Sequence, residues 1–427
     1  MRKFTSHLRT AGATLAFALA IAACSAGETL NTDAPPLERI TAFESSAERN
    51  AAPSDATTDE LVDSLNNLGF ELLLDEDSQD NVVLSPASIG HVVLMLRPAA
   101  DDTTGTAIDE ALQLEDGLEP HIAWDSIDQQ IVASNGTVTN RDGQTPVVTL
   151  ADRIWPTENA NPDQEWIDLL ATYHGADVSP IDSTQPETSR ETVNAWVSDQ
   201  TQGRIPDLLP DGAINANTTM VLTNAVYFEA SWQPEFRGFQ STVFDQLDGT
   251  ESEVPAFSGD LFEPFGTGDG WTATTLDYSG GDYSMLLVVP DRGRFEEIRE
   301  ELSIDLLADV DAALSPQLYE LILPTWNDTT RIDLLPWLAG IGAVPGAYPG
   351  VGSVPVSTLD AGIHVADIEV DASGTIATAA TGFVNDAMSD DGEPRFTFEV
   401  DRPFFYFIRH NDTGLVLFAG QVTDPTS

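Results

Sequence analysis

The chain has 427 residues, of which 41% are apolar, enough to bury a core and too many for a disordered chain. Its 70 acidic against 18 basic residues leave a formal charge of −52, a surface that repels nucleic acid, heparin-like polyanions and anionic membranes. The single cysteine, Cys24, excludes an intramolecular disulfide, and the only lysine is Lys3.

Met1 to Phe4 gives a positive start, and Ala11 to Ala23 gives an apolar stretch too short and too Ala-rich for a good membrane span. Ile21-Ala22-Ala23-Cys24 resembles the lipobox of bacterial lipoproteins, which implies removal of residues 1–23 and lipidation of the Cys24 thiol. Ordinary secretory cleavage nearby is the alternative. Residues 25–57 are rich in Ala, Ser, Thr, Pro and acids without periodicity and read as a flexible tether. The acidity reads as a solubility adaptation, suited to a saline habitat, and not as a binding site.

Thr58-Asp59-Glu60 offers a helix start with acids in the first turn, and Leu61, Leu65, Leu68 and Leu72 then fall on one stripe. Asn81 to Ile89 leads into an apolar helix through Leu96. Val147 to Trp155 alternates moderately and reads as a central strand; Gln164 to Tyr173 reads as a helix with Trp166 and Leu169 inward. Met220 to Phe228 is a nearly continuous apolar strand, as expected where both faces are covered. Tyr283–Pro290 and Tyr319–Pro324 are strands closed by proline, Arg331 to Ile341 suits a helix, and Val416 to Val422 is a last buried strand. Strands mixed with helices, without regular β-α alternation or repeats, argue an α+β fold.

The stretch from His364 to Arg409 holds a contradiction. Ile368–Val370 and Phe396–Ile408 read as strands. Between them Thr375 to Thr381 is small, uncharged and fit for a sheet, yet it flows into Asn385–Pro394, an acidic segment with Gly and Pro that reads as an exposed loop tip. One ordinary buried strand followed by a long turn is the plain reading.

This stretch resembles the hinge, reactive loop and C-terminal signature of the serpins: Gly374-Thr375 before a run of small residues, and Asp401-Arg402-Pro403-Phe404 within Phe398 to Ile408. The resemblance runs over roughly residues 58 to 424. It extends to Val193–Val197, Thr201–Ile205 and Leu208-Leu209, and Gly105 to Leu114 suits the short helix that serpins have there. It implies a serpin domain over 58–427, with three β-sheets surrounded by eight to nine helices and an exposed reactive centre loop at about 372–394. It also implies a shutter and breach made by Ser85, Ser88, Asn224, Trp232 and His364 under the point where the central sheet opens. Glu229-Ala230 replaces the family's usual Lys-Gly, which puts in doubt any use of a cation there.

No Gly-x-Ser-x-Gly elbow, His-Glu-x-x-His, phosphate loop or Cys/His cluster is present, so the sequence offers no catalytic constellation and no metal or cofactor site. Fourteen residues on from Gly374 lies Met388, which makes Met388–Ser389 the expected scissile bond. The resemblance implies a suicide substrate: a serine protease acylates at Met388, and the freed loop enters the sheet before water can deacylate. Thr375, Ala377, Ala379 and Thr381 would then face the buried side, and Ile376, Thr378, Ala380 and Gly382 the outer side. All of the inward set are small and uncharged, which permits insertion. Ile376 and Ala372 depart from the glutamates common in inhibitors. Methionine suits extracellular elastase-, chymotrypsin- or subtilisin-like proteases with an apolar primary pocket. The expected protein is a monomer, exported and either lipid-anchored or secreted. A non-inhibitory serpin, cleaved as a plain substrate, is the alternative.

Overall fold

The computed structural model describes residues 43–49, 57–114, 117–135, 146–344, 346–353, 356–375 and 396–426. The chain opens with α1 (Asp59–Asp75), β1 (Val82–Leu84), α2 (Pro86–Leu96), α3 (Asp102–Leu112) and α4 (Glu119–Ser134). The leucine stripe of α1, with Leu65 fully enclosed, faces the core while its acids face outward. Ser85 caps α2 by accepting from the Ser88 backbone N–H at 3.2 Å, with Pro86 in the first turn. Asp101 caps α3 in the same way.

The middle of the chain supplies β2 (Val147–Leu150), β3 (Arg153–Pro156), α5 (Gln164–Leu169), α6 (Pro186–Gln200) and β4 (Met220–Ser231). Then follow β5 (Gly238–Asp245), β6 (Glu251–Gly268), β7 (Trp271–Asp277), β8 (Tyr283–Pro290), α7 (Phe295–Glu300), α8 (Ile304–Ala313), β9 (Ser315–Pro324) and β10 (Trp326–Asp333). The last part holds α9 (Leu334–Gly340), β11 (Tyr348–Ser353), β12 (Val356–Ser357), β13 (Ala361–Asp371), β14 (Gly374–Thr375), β15 (Phe396–Glu399), β16 (Phe404–His410) and β17 (Val416–Val422).

Among the described residues these make nine α-helices and three sheets, the α+β arrangement expected. The largest sheet has the order β1-β17-β16-β8-β7-β6-β9-β15, with β5 on β6; the eighteen-residue β6 pairs with β5, β9 and β7 along its length. The six-stranded sheet has the order β10-β13-β14-β4-β2, with β3 also on β4. β11 and β12 form the third. Phe228, Phe257, Tyr283, Phe404 and Leu417 fill the main apolar core.

Four sequence expectations need correction. Arg331–Asp333 is strand, not helix: β10 pairs with β13 through Asp333↔Ile363, and α9 begins only after Asp333, whose carboxylate accepts from the Leu335 N–H at 3.0 Å. Val147–Trp155 is two strands, interrupted at Ala151-Asp152. Phe396–Ile408 is also two, because Asp401-Arg402-Pro403 turns between β15 and β16. Beyond Leu169, α5 gives way to a π-turn, Leu170–His174, which carries His174 into the interior.

Candidate functional site: the seam of the six-stranded sheet

β4 and β13 run parallel and pair from Val221↔Ala361 to Val226↔Ala366. Higher up, β14 lies between them, antiparallel to both: Gly374 faces Ser231 and Asp371, and Thr375 faces Ala230 and Val370. Gly374 has φ +154°, and a Cβ there would lie 2.1 Å from the Ala230 carbonyl oxygen, so the close approach requires glycine. Thr375 is 1% exposed, and its Oγ1 lies 2.6 Å from the Tyr278 hydroxyl. Burial raises the Tyr278 phenol pKa, which keeps the hydroxyl neutral.

Trp232 holds the turn that feeds β14. Its ring stacks on Tyr278 at 4.5 Å, its Nε1 donates to the Asp371 carbonyl at 2.8 Å, and its backbone N–H donates to the Ser373 carbonyl at 3.0 Å. At the position where serpins carry lysine, Glu229 accepts from the Tyr227 hydroxyl at 2.7 Å. A cation reaches β13 from elsewhere: Arg204 pairs with Asp367 at 2.5 Å and Glu369 at 3.2 Å.

Lower in the seam, His364 and Asn224 are register partners, and the structure brings four of the five sequence-named shutter and breach residues together around them. His364 Nδ1 donates to the Asn224 side-chain oxygen, and its Nε2 accepts from the Ser85 backbone N–H at 3.2 Å. Both ring nitrogens are thereby used by a neutral imidazole. A proton on Nε2 would oppose the Ser85 N–H, and burial holds the pKa at about 3. Asn224 Nδ2 donates to Ser88 Oγ at 2.8 Å and to Asp152 Oδ1 at 2.7 Å, and Ser88 Oγ donates to the same oxygen at 2.6 Å. The fifth residue, Trp232, sits apart, at the top.

Sequence reasoning missed the rest of this network. Asp152 lies in the break between β2 and β3, and its Oδ2 is 2.8 Å from His91 Nδ1. His91 Nε2 is 3.1 Å from His174 Nδ1, and His174 Nε2 is 2.9 Å from His121 Nδ1. All four side chains are buried. Burial pushes the Asp152 carboxyl up against the opposing pull of His91 and Ser88, holds His174 well below the usual histidine range, and lowers His121 to about 4. One signal was available: His91 follows Ser88 by three residues on α2, hence on a shared face.

The expected hinge residues Ile376, Ala377, Thr378, Ala379, Ala380 and Thr381, the bond Met388–Ser389 and the lipidation residue Cys24 lie outside the described residues. Among the described residues no group of three or more His, Cys, Asp or Glu side chains is placed to hold a metal ion.

Residues 63–425 match the family model described as Serpin (serine protease inhibitor). Leukocyte elastase inhibitor of Bos taurus is 28% identical over 83% of this chain and 96% of its own. A serpin-like protein of Methanosarcina acetivorans is 26% identical over 83% of each chain. Among solved structures, the thermophilic serpin tengpin in its native state superposes with a TM-score of 0.77 at 20% identity, covering 88% of this chain and 97% of tengpin. Uncleaved ovalbumin gives 0.75 at 21% identity, over 87% of this chain and all of its own. With its fold shared by these structures and a family model spanning nearly all the described residues, the chain belongs to the serpin family.

Proposed function

We propose that this chain inhibits an extracellular serine protease as a suicide substrate. The protease serine adds to the Met388 carbonyl carbon, the bond to Ser389 breaks, and the Ser389 amine leaves carrying a proton, so that an acyl-enzyme remains. The loop then lengthens β14 between β4 and β13 and carries the protease with it. The supporting observation is that β14 is already seated in the seam, antiparallel to both neighbours, with Thr375 turned to the buried face. The residues that follow are small and uncharged, and Gly374 to Met388 would span roughly 45–50 Å as a strand.

Methionine at the cleaved position favours an elastase-, chymotrypsin- or subtilisin-like enzyme, and the bovine relative is named for elastase. Export, with lipidation of Cys24 after loss of residues 1–23 and a tether to residue 57, completes the reading. The test is to mix the chain with such a protease and run denaturing gels. A protease-sized SDS-resistant adduct that vanishes in Thr375→Arg is expected. A chain clipped near Met388 beside fully active protease, across several proteases, would remove the inhibitory function.

A further inference from the structure

Four of the six histidines fall in or against one buried hydrogen-bonded chain, and only His364 belongs to the expected shutter. With Asp152 ionised and His91 neutral, His91 Nδ1–H donates to Asp152 Oδ2. His91 Nε2 must then accept from His174 Nδ1–H, and His174 Nε2 from His121 Nδ1–H. His121 Nε2 is left without a hydrogen-bond partner among the described residues, and its ring lines a pocket of about 310 Å³ with Leu94, Leu112 and Leu169. We propose that His121, His174 and His91 form a proton relay that delivers a proton from this pocket to His91, beside the carboxylate holding Asn224.

A solvent proton bonds to His121 Nε2, and the Nδ1 proton of His121 passes to His174 Nε2. The Nδ1 proton of His174 passes in turn to His91 Nε2. His91 keeps its Nδ1–H and becomes an imidazolium beside the Asp152 carboxylate. The net change is one proton gained and two rings left in the opposite tautomer.

Electrostatics favour this resting place. Arg49, paired with Asp125 and Asp128, faces His174, and Arg97, paired with Asp109, faces His121; both cations disfavour charge on the outer two rings. His91 touches the carboxylate and stacks on Trp124 at 4.1 Å and 14°, a face that attracts a cation. Asp128 adds negative potential at Asp152, and beyond Asn224 stands the neutral His364. Once His91 is charged, Asp152 is a weaker acceptor for Asn224 Nδ2 and Ser88 Oγ, so acid loosens the hold on β4. The relay goes beyond the inhibitory reading and is tested without a protease.

The experiment labels the histidines of the whole chain with ¹⁵N and records two-bond ring correlations from about pH 8 to about pH 4. Expected is a single midpoint at which His91 becomes doubly protonated while His174 and His121 switch from Nδ1–H to Nε2–H. Either outer ring keeping Nδ1–H through that midpoint, or an unchanging His91, overturns the relay. In His121→Asn, exchange of the His91 ring protons with solvent should slow about tenfold, since only local opening then admits a proton. An exchange rate equal to wild type also overturns it. The wild-type titration decides by itself should that variant fail to fold.

Discussion

The Thr375 hydroxyl lies 2.6 Å from that of Tyr278, inside a site closed by the stacked Trp232 ring. This contact holds the Thr375 side chain on the buried face of the strand. Thr375→Val keeps the shape but leaves a buried phenol hydroxyl without its partner. Chemical denaturation should show a loss of about 1–3 kcal/mol. The SDS-resistant adduct should persist, since valine carries no charge into the sheet.

Asn224 ties β4 to three neighbours at once: His364 on β13, Ser88 on α2 and Asp152 beside β3. Asn224→Ala deprives the His364 Nδ1–H of its acceptor and Asp152 of a donor, both fully enclosed. A loss of roughly 2–5 kcal/mol is expected from two unsatisfied buried groups. An equilibrium unfolding curve within about 0.5 kcal/mol of wild type would show that the seam does not depend on this residue.

His364 also sets a pH dependence. Its folded pKa is lowered to about 3 from an ordinary value of 6.5, so between these limits the unfolded chain binds a proton that the folded chain does not. Stability contributed by the neutral ring is therefore present above about pH 6.5 and falls as the pH drops toward 3. Between pH 7 and pH 5 the wild type should lose about 2 kcal/mol more than His364→Gln, read from paired denaturation curves. His121, held at about 4, acts in the same direction and should leave part of the slope in the variant.

Much of this seam was legible in the sequence, for specific reasons. Met220–Phe228 announces a doubly covered strand because it is apolar at nearly every position. Ser85, Ser88, Asn224 and His364 stand out as polar residues in apolar surroundings. Asp152 does not: with 70 acids in the chain one carboxylate carries no signal, and only the kink between β2 and β3 turns it inward. His121 and His174 meet through a π-turn that no periodicity marks. Arg331–Ile341 misled because its apolar spacing suits a helix, while its first three residues complete a ladder with distant β13.

Met388 tests the proposed register. Peroxide converts the thioether to a polar sulfoxide, ill-suited to an apolar primary pocket. The second-order inhibition rate should fall about tenfold or more, a penalty of about 1.4 kcal/mol in the encounter, and Met388→Leu should resist the treatment. An unchanged rate after verified oxidation would move the cleaved bond elsewhere in the loop.

β4 has twelve residues and β13 eleven, yet the two meet directly at only six register positions, and in the parallel sense. A strand continuing β14 downward would pair with both along their whole length and form two antiparallel ladders in place of that one. On the proposed mechanism, such a strand would make the present arrangement the less stable of two that the chain can reach. Its persistence would then be a matter of lifetime, one step being the parting of Asn224 from His364, and heating would measure how fast it is crossed.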